Sequence, residues 1–246
     1  MTEPIRLSVV GLGPGDPELI TLKGLRRIQA AQVIFVPRRT QKAFGQPSLA
    51  QQIAHDYLDL ARQRLIELPL VMETAAARTV DAWENAAVVM AAALPASGAA
   101  AYLILGDPSL YGTFSYLAPL LQARRPDLLI EIVPGVNSYS AAAAVAGIPL
   151  ALGDERVAIL PATYEADPQS VIALLEQFDT LVLLKAGSAL PRLKAALLHA
   201  GRAIQVCVAA RVGFPDQQIW RTLETLPDEP LTYFSLAIIK KDYNSG

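Results

Sequence analysis

The stretch 106-GDPSLYGTF-114 follows directly on the apolar run Ala99-Ala-Ala-Tyr-Leu-Ile-Leu105, and a segment of helical spacing leaves it. A seven-residue run of buried-strand character that ends in Gly-Asp-Pro puts a polar, sterically lean turn at the carboxyl end of a strand. That is where open α/β sheets bind their ligands. In this turn Gly106 lets a ligand approach the backbone, Pro108 stiffens the chain, and Asp107 offers a carboxylate that either accepts a bond from a ligand or holds the turn.

The same grammar recurs on both sides. Ile5–Val10 is apolar and β-branched, Gly11-Leu-Gly-Pro-Gly-Asp16 is a glycine turn, and Pro17–Ile28 has helical spacing. A dinucleotide fingerprint would need a third glycine where Asp16 stands and an acid after the second strand, where the chain has Pro37 and Arg38, so the nicotinamide reading is set aside. Pro14, between two glycines, is expected at a stiff exposed corner that either lines a pocket or turns the chain. The second strand, Gln32–Val36, runs into Arg38, Arg39 and Lys42. In a parallel sheet these cations share an edge with the glycine turns. The ordinary alternative is a solvated loop, but their density in a slightly acidic chain favours an anionic ligand.

A helix is expected over Ser48–Arg62, a strand over Leu65–Leu68, and a second helix over Thr79–Ala93, with Trp83 as a packing residue. After the central turn, a helix carries Tyr116–Gln122 and breaks at Arg124-Arg-Pro-Asp127. That polar break divides the chain into domains 1–125 and 126–246. Beyond it come the strand Leu128–Val133, a third turn Pro134–Ser140, and the small-residue run Ala141–Gly147. Asn137 or Ser138 caps this helix, and the amides at its start can also hold a ligand's polar edge. The last hundred residues read as strands at Val157–Leu160, Thr180–Leu184 and Ile204–Val208, with helices at Pro168–Gln177 and Ala189–Ala200. Two more strands, Gln218–Trp220 and Leu231–Ile239, have no helix between them, which predicts a hairpin in a mixed sheet.

Composition narrows the function. In 246 residues, 21 Lys and Arg stand against 23 Asp and Glu, a net charge of −2, so no global field favours nucleic acid or an anionic membrane. The Ala-rich stretch from Ala86 to Ala101 is broken by Pro95 and Ser97-Gly98, short of the roughly 20 apolar residues of a membrane span. The charged start runs straight into a strand, so no signal sequence is expected there. The one cysteine, Cys207, sits in a strand-like run and reads as a core thiol, which excludes a disulfide framework and points to a reducing, cytoplasmic setting. With His55 and His199 alone, no histidine metal site can be argued.

Three Gly/Pro-rich junctions, with Lys185-Ala-Gly187 after a fourth strand, suggest a nucleoside-sized ligand held largely by backbone groups. No nucleophile machinery accompanies them, which fits a reaction whose chemistry is carried by the ligand. The motifs GLGPGDPELITLK, GDPSLYGTFSYL, VPGVNSYSAAAAVAGIPL and YFSLAII, in this order, resemble those of the tetrapyrrole methylases, the two-domain S-adenosylmethionine enzymes of corrin and sirohaem synthesis. GDPSLY followed by TFSYL, with IFVPR after the first helix, most resembles the precorrin-2 or cobalt-precorrin-2 C(20)-methyltransferases.

The resemblance implies two α/β domains: an N-terminal, mostly parallel sheet with flanking helices and a C-terminal mixed sheet, with S-adenosylmethionine folded between them. Matching positions for the cofactor are Pro14 in the first loop, Leu105, Gly106, Asp107 and Leu110 in the second, and Asn137 and Ser138 in the third. Lys185 and Arg211, Val212 and Gly213 match the C-terminal domain's contacts, although Lys185 replaces a methionine of some relatives. Arg38, Arg39, Lys42 and Tyr111 are expected to receive the reduced tetrapyrrole. Related uroporphyrinogen methylases carry a carboxylate where this chain has Pro37-Arg38, so no general base is assigned. A homodimer without metal is implied. The alternatives are a methylase for another ring carbon, a diphthine-synthase-like protein methylase, and a nucleotide-sensing module without catalysis.

Overall fold

The computed structural model describes residues 4–38, 47–70, 76–162, 168–199 and 204–242, in two units, Met1–Val136 and Asn137–Gly246. The first unit is built on strands β1 (Arg6–Gly11), β2 (Val33–Arg38), β3 (Arg64–Pro69), β4 (Ala99–Ile104) and β5 (Leu129–Val133), with helices α1 (Leu22–Ala30), α2 (Leu49–Ala54), α3 (Ala76–Ala93) and α4 (Phe114–Arg124). The strand order is β3-β2-β4-β1-β5 and every pairing is parallel. Such strands are covered on both faces, which is why β1, β2 and β4 read as near-continuous apolar runs. Leu7, Val9, Phe35 and Tyr102 pack with Met90 of α3 and with Phe114, Leu117 and Leu121 of α4. Trp83 does pack: its ring stacks on Tyr116 at 4.2 Å and 2°, joining α3 to α4.

Two expectations for this half are corrected. The expected division at 125/126 is displaced to Val136/Asn137, because β5 belongs to the first sheet, in register with β1 from Arg6↔Leu129 to Val10↔Val133. The break at 124–127 is the turn of a β-α-β crossover. Without β5, one side of the buried strand β1 would leave its amides and carbonyls unpaired. The helix expected over Ser48–Arg62 stops at Ala54 and passes through a short 3₁₀ turn, His55–Tyr57. Downstream, the buried amide of Gln63 donates to the carbonyls of Ile28 (2.7 Å) and Ala31 (3.0 Å), satisfying the end of α1. That tertiary demand outweighs local helical propensity.

The second unit holds α5 (Ser138–Ala146), β6 (Val157–Pro161), α6 (Pro168–Gln177), β7 (Thr180–Leu184), α7 (Leu190–His199), β8 (Ile204–Ala210), β9 (Gln218–Trp220) and β10 (Ser235–Lys241). Its sheet is mixed, in the order β6-β7-β10-β8-β9. β6 and β7 run parallel, and β10 lies antiparallel between β7 and β8. The expected hairpin of the last two strands is therefore not formed; β9 pairs with β8 instead. The reason is burial. Ser235–Lys240 is buried along its length and requires a central place, whereas the three half-exposed residues of β9 suit an edge. Cys207 is a free thiol in the core of β8, its pKa pushed up by burial. α5 packs against β8 and β10, and Arg221 donates to its last carbonyls at Val145 (3.0 Å) and Ala146 (3.3 Å). Among the described residues, no helix is long and apolar enough to cross a membrane.

Candidate functional site

Because β4, β1 and β5 are adjacent and parallel, the loops that leave their carboxyl ends meet on one edge of the first sheet. The first and second loops are tied by paired backbone bonds: Gly13 N–H to Gly106 O at 3.3 Å and Gly106 N–H to Gly13 O at 2.8 Å. The Gly106 carbonyl is the centre of this node. A Cβ at Gly11 would lie 2.6 Å from that oxygen, and one at Gly135 would lie 2.3 Å from it, so three backbones approach more closely than any side chain allows. Gly106 itself differs. Its φ of +69° favours glycine, yet nothing lies within 4 Å of where its Cβ would stand. The node is thus closed by Gly11 and Gly135 and open at Gly106, where a Cβ would meet open space and the backbone can be approached.

Asp107 is buried, and its carboxylate is taken up by the protein. Oδ1 accepts the Ser109 N–H (2.8 Å) and the Ser109 hydroxyl, and Oδ2 accepts the Gly135 N–H (2.9 Å). Burial disfavours its charge, but these three bonds outweigh burial and hold the carboxyl below its usual range. Of the two roles considered for Asp107, the geometry displays the holding of the turn, extended to the next loop.

The other named residues of this unit fall around the node. Pro14 is buried, not at an exposed corner, because its loop is drawn against Gly106. Leu105 and Leu110 are half-buried, and Tyr111 is 49% exposed with φ of +54°. Arg38 ends β2 on the same edge, but its guanidinium, 11% exposed, pairs with Glu67 of β3. A substrate carboxylate at Arg38 would have to compete with Glu67. Arg39 and Lys42 lie outside the described residues.

In the second unit, Asn137 stands at the N-cap of α5 without a side-chain capping bond, and Ser138 opens the helix. Lys185 (φ +59°) and Arg211 (φ +51°) leave β7 and β8 at one edge of the mixed sheet, on either side of the start of β10. With Tyr111, they are the only non-glycine residues in the left-handed region among the described residues. Such strain persists where neighbours over-determine it and collects at functional positions. The backbone beside Lys185 is held by Leu231 N–H to Gly187 O (3.0 Å), and its ammonium sits 5.6 Å from the centre of the Tyr233 ring. Arg211 donates its N–H to Phe234 O (2.8 Å), lays its guanidinium over Phe214 and pairs with Asp216 at 2.6 Å, which holds the Asp216 carboxyl low. Val212 is buried, and Gly213 (φ +82°) donates to Gln217 at 3.1 Å.

Sequence reasoning missed Ser109, Gly135 and Tyr233. For Ser109 a signal existed: Asp-x-Ser is the spacing at which a carboxylate bonds the residue two further on. For Gly135 and Tyr233 no local signal existed, since their partners come from other strands. Among the described residues, no group of three His, Cys, Asp or Glu is placed to hold a metal ion.

Residues 6–227 match the family model of the tetrapyrrole (corrin/porphyrin) methylases. The chain is 32% identical to the cobalt-precorrin-2 C(20)-methyltransferase of Salmonella typhimurium, over 97% of each chain. It is 30% identical to the precorrin-2 C(20)-methyltransferase of a Sinorhizobium species, over 95% of this chain and 94% of that one. Among solved structures it shares its fold with the uroporphyrin-III C-methyl transferase of Thermus thermophilus complexed with S-adenyl homocysteine, at a TM-score of 0.63 and 22% identity over 96% and 97% of the two chains.

Proposed function

Since this chain belongs to the tetrapyrrole methylases, we propose that it transfers a methyl group from S-adenosylmethionine to the C(20) meso carbon of precorrin-2 or cobalt-precorrin-2. The observation that carries this reading is the end-to-end similarity to two proteins named for that step. The open face of Gly106 supports the place of the donor.

When bound, the donor supplies an electrophilic methyl whose bonding pair stays with sulfur. The chain's part is placement. In the first unit, Pro14, Leu105, Gly106, Asp107 and Leu110 hold the donor by backbone groups and shape; in the second, Asn137, Ser138, Lys185 and Arg211–Gly213 are proposed contacts. Arg38, Arg39, Lys42 and Tyr111 are proposed to receive the reduced ring and its peripheral carboxylates, a task suited to guanidinium groups. Asp107 is unsuited to take the proton that the meso carbon loses, because its charge is already engaged by three donors. A homodimer in the cytoplasm completes the proposal.

Turnover with metal-free and cobalt-loaded precorrin-2, followed by mass and absorbance, tests it: a gain of one methyl at C(20) is expected. Methylation at another carbon, or of a protein substrate only, overturns it. Arg38→Ala with Arg39→Ala is expected to raise the tetrapyrrole KM while donor affinity stays near wild type. Unchanged KM at low salt returns these cations to an ordinary surface.

A further inference from the structure

We infer that Ser109 is a positioning residue for the donor, acting through Asp107 to fix the direction of the Gly135 amide and with it the third loop of the node. This deepens the donor reading and rests on it. Ser109 spends both of its donors, N–H and hydroxyl, on a single oxygen of Asp107, and the other oxygen reaches the Gly135 N–H at 2.9 Å. The carboxylate thus has one oxygen for its own turn and one for the turn that follows β5.

Rotation of the carboxylate would break both attachments, and the Ser109 hydroxyl adds a third bond that resists it beside the amides of Ser109 and Gly135. Gly135 has little freedom of its own. Its nitrogen lies 2.7 Å from where a Cβ of Gly11 would stand, and its own Cβ position lies 2.9 Å from Gly11 Cα. A small change in the Asp107 carboxylate is therefore passed on to the backbone that surrounds the open face of Gly106. Pro108 stiffens the chain between the two partners, so the clamp is set by the turn itself and does not wait for a ligand. Ser109 lies at the surface, and its hydroxyl hydrogen is directed at Asp107; exchange at the Gly135 amide separates this role from a direct contact with the donor.

The test uses the full chain with Ser109→Ala, Ser109→Thr and Asp107→Asn. The readouts are calorimetry with S-adenosylhomocysteine, thermal melts, and hydrogen exchange at the Gly135 amide without ligand. Ser109→Ala is expected to weaken the ligand roughly three- to tenfold and to speed Gly135 exchange, with Ser109→Thr restoring both. Asp107→Asn is expected to weaken it further, because its amide group would point a donor at a donor, either at Gly135 or at Ser109.

Wild-type affinity and wild-type Gly135 exchange in Ser109→Ala, with only the melt lowered, would reduce Ser109 to a local turn former. Weakened binding with unchanged exchange would make the hydroxyl a direct contact and equally overturn the inference. The exchange measurement needs no ligand, so a wild-type protein that fails to bind S-adenosylhomocysteine defeats the donor reading while the clamp is still decided.

Discussion

The carboxyl edge of the first sheet and the corresponding edge of the second solve the same problem with different residues. In the first unit three loops are drawn together through glycines, and the local carboxylate is consumed by amides and a hydroxyl. In the second, the turns after β7 and β8 are made by Lys185 and Arg211 in a conformation that costs an L-residue about 1–2 kcal/mol. Glycine yields close backbone approach and an open face. A lysine or arginine at such a turn yields neither, but it places a cation at the sheet edge, beside Tyr233 in one case and over Phe214 in the other. The first edge is thus drawn together by glycines, and the second combines one such approach, at Gly187, where a Cβ would lie 2.1 Å from Thr232 O, with a cation at each turn.

The largest expected effect lies in the glycine node. Gly135→Ala forces a methyl to within 2.3 Å of the Gly106 carbonyl and 2.8 Å of the Gly11 carbonyl carbon, and should destabilise the protein by about 3 kcal/mol or prevent folding. Gly106→Ala meets no atom and should cost only about 1 kcal/mol, from its positive φ. It should nonetheless weaken S-adenosylhomocysteine at least tenfold, because the methyl fills the open face. Melts and calorimetry on both variants decide: equal loss of stability, or a Gly106→Ala protein that binds like wild type, breaks the distinction between the closed and open sides of the node.

A smaller effect is expected at the second edge. Lys185→Gly relieves the left-handed strain and should raise stability by about 0.5–1 kcal/mol, part of the gain being offset by the freer unfolded chain. Arg211→Gly should gain less, since it also removes the exposed pair with Asp216. Loss of stability in Lys185→Gly would mean that the lysine side chain, and not its backbone, holds the turn.

The smallest concerns Glu131 on β5, where Arg27 (2.7 Å), Lys23 (2.8 Å) and Arg6 (3.7 Å) converge. Hydrogen bonds from Arg27 and then Lys23 lower its carboxyl to about 2 from an ordinary 4.5. A depressed folded pKa stabilises above the unfolded value, and that contribution is lost as pH falls from about 4.5 toward 2. Glu131→Gln should cost about 0.5 kcal/mol or less at neutral pH after solvent screening, and should flatten the acid limb of a stability-pH profile across that window. An unchanged acid limb would show that these cations are held elsewhere.

Much of the fold can be read locally. The apolar runs of β1, β2 and β4 and the Gly/Pro turns behind β1, β4 and β5 announce parallel strands with ligand-type loops, because strand burial and turn chemistry are written in adjacent residues. The motifs also place Gly106 and Asp107 at the heart of the node. Pairings between distant segments are not written there. That β5 completes the first sheet follows from the open side of β1, and that β10 enters between β7 and β8 follows from its burial on both faces.

The function of a polar group is equally a matter of partners. From the sequence Asp107 is a carboxylate at a binding turn, and only the fold brings the Gly135 amide to its second oxygen and withdraws it from direct chemistry. Likewise Arg38 reads as a free cation until β3 is laid beside β2 and supplies Glu67. The sequence by itself determined the strands, the turns and the family; the tertiary structure decided which charges remain available, because a hydrogen-bonding group is spent by whichever partner the folded chain places within reach.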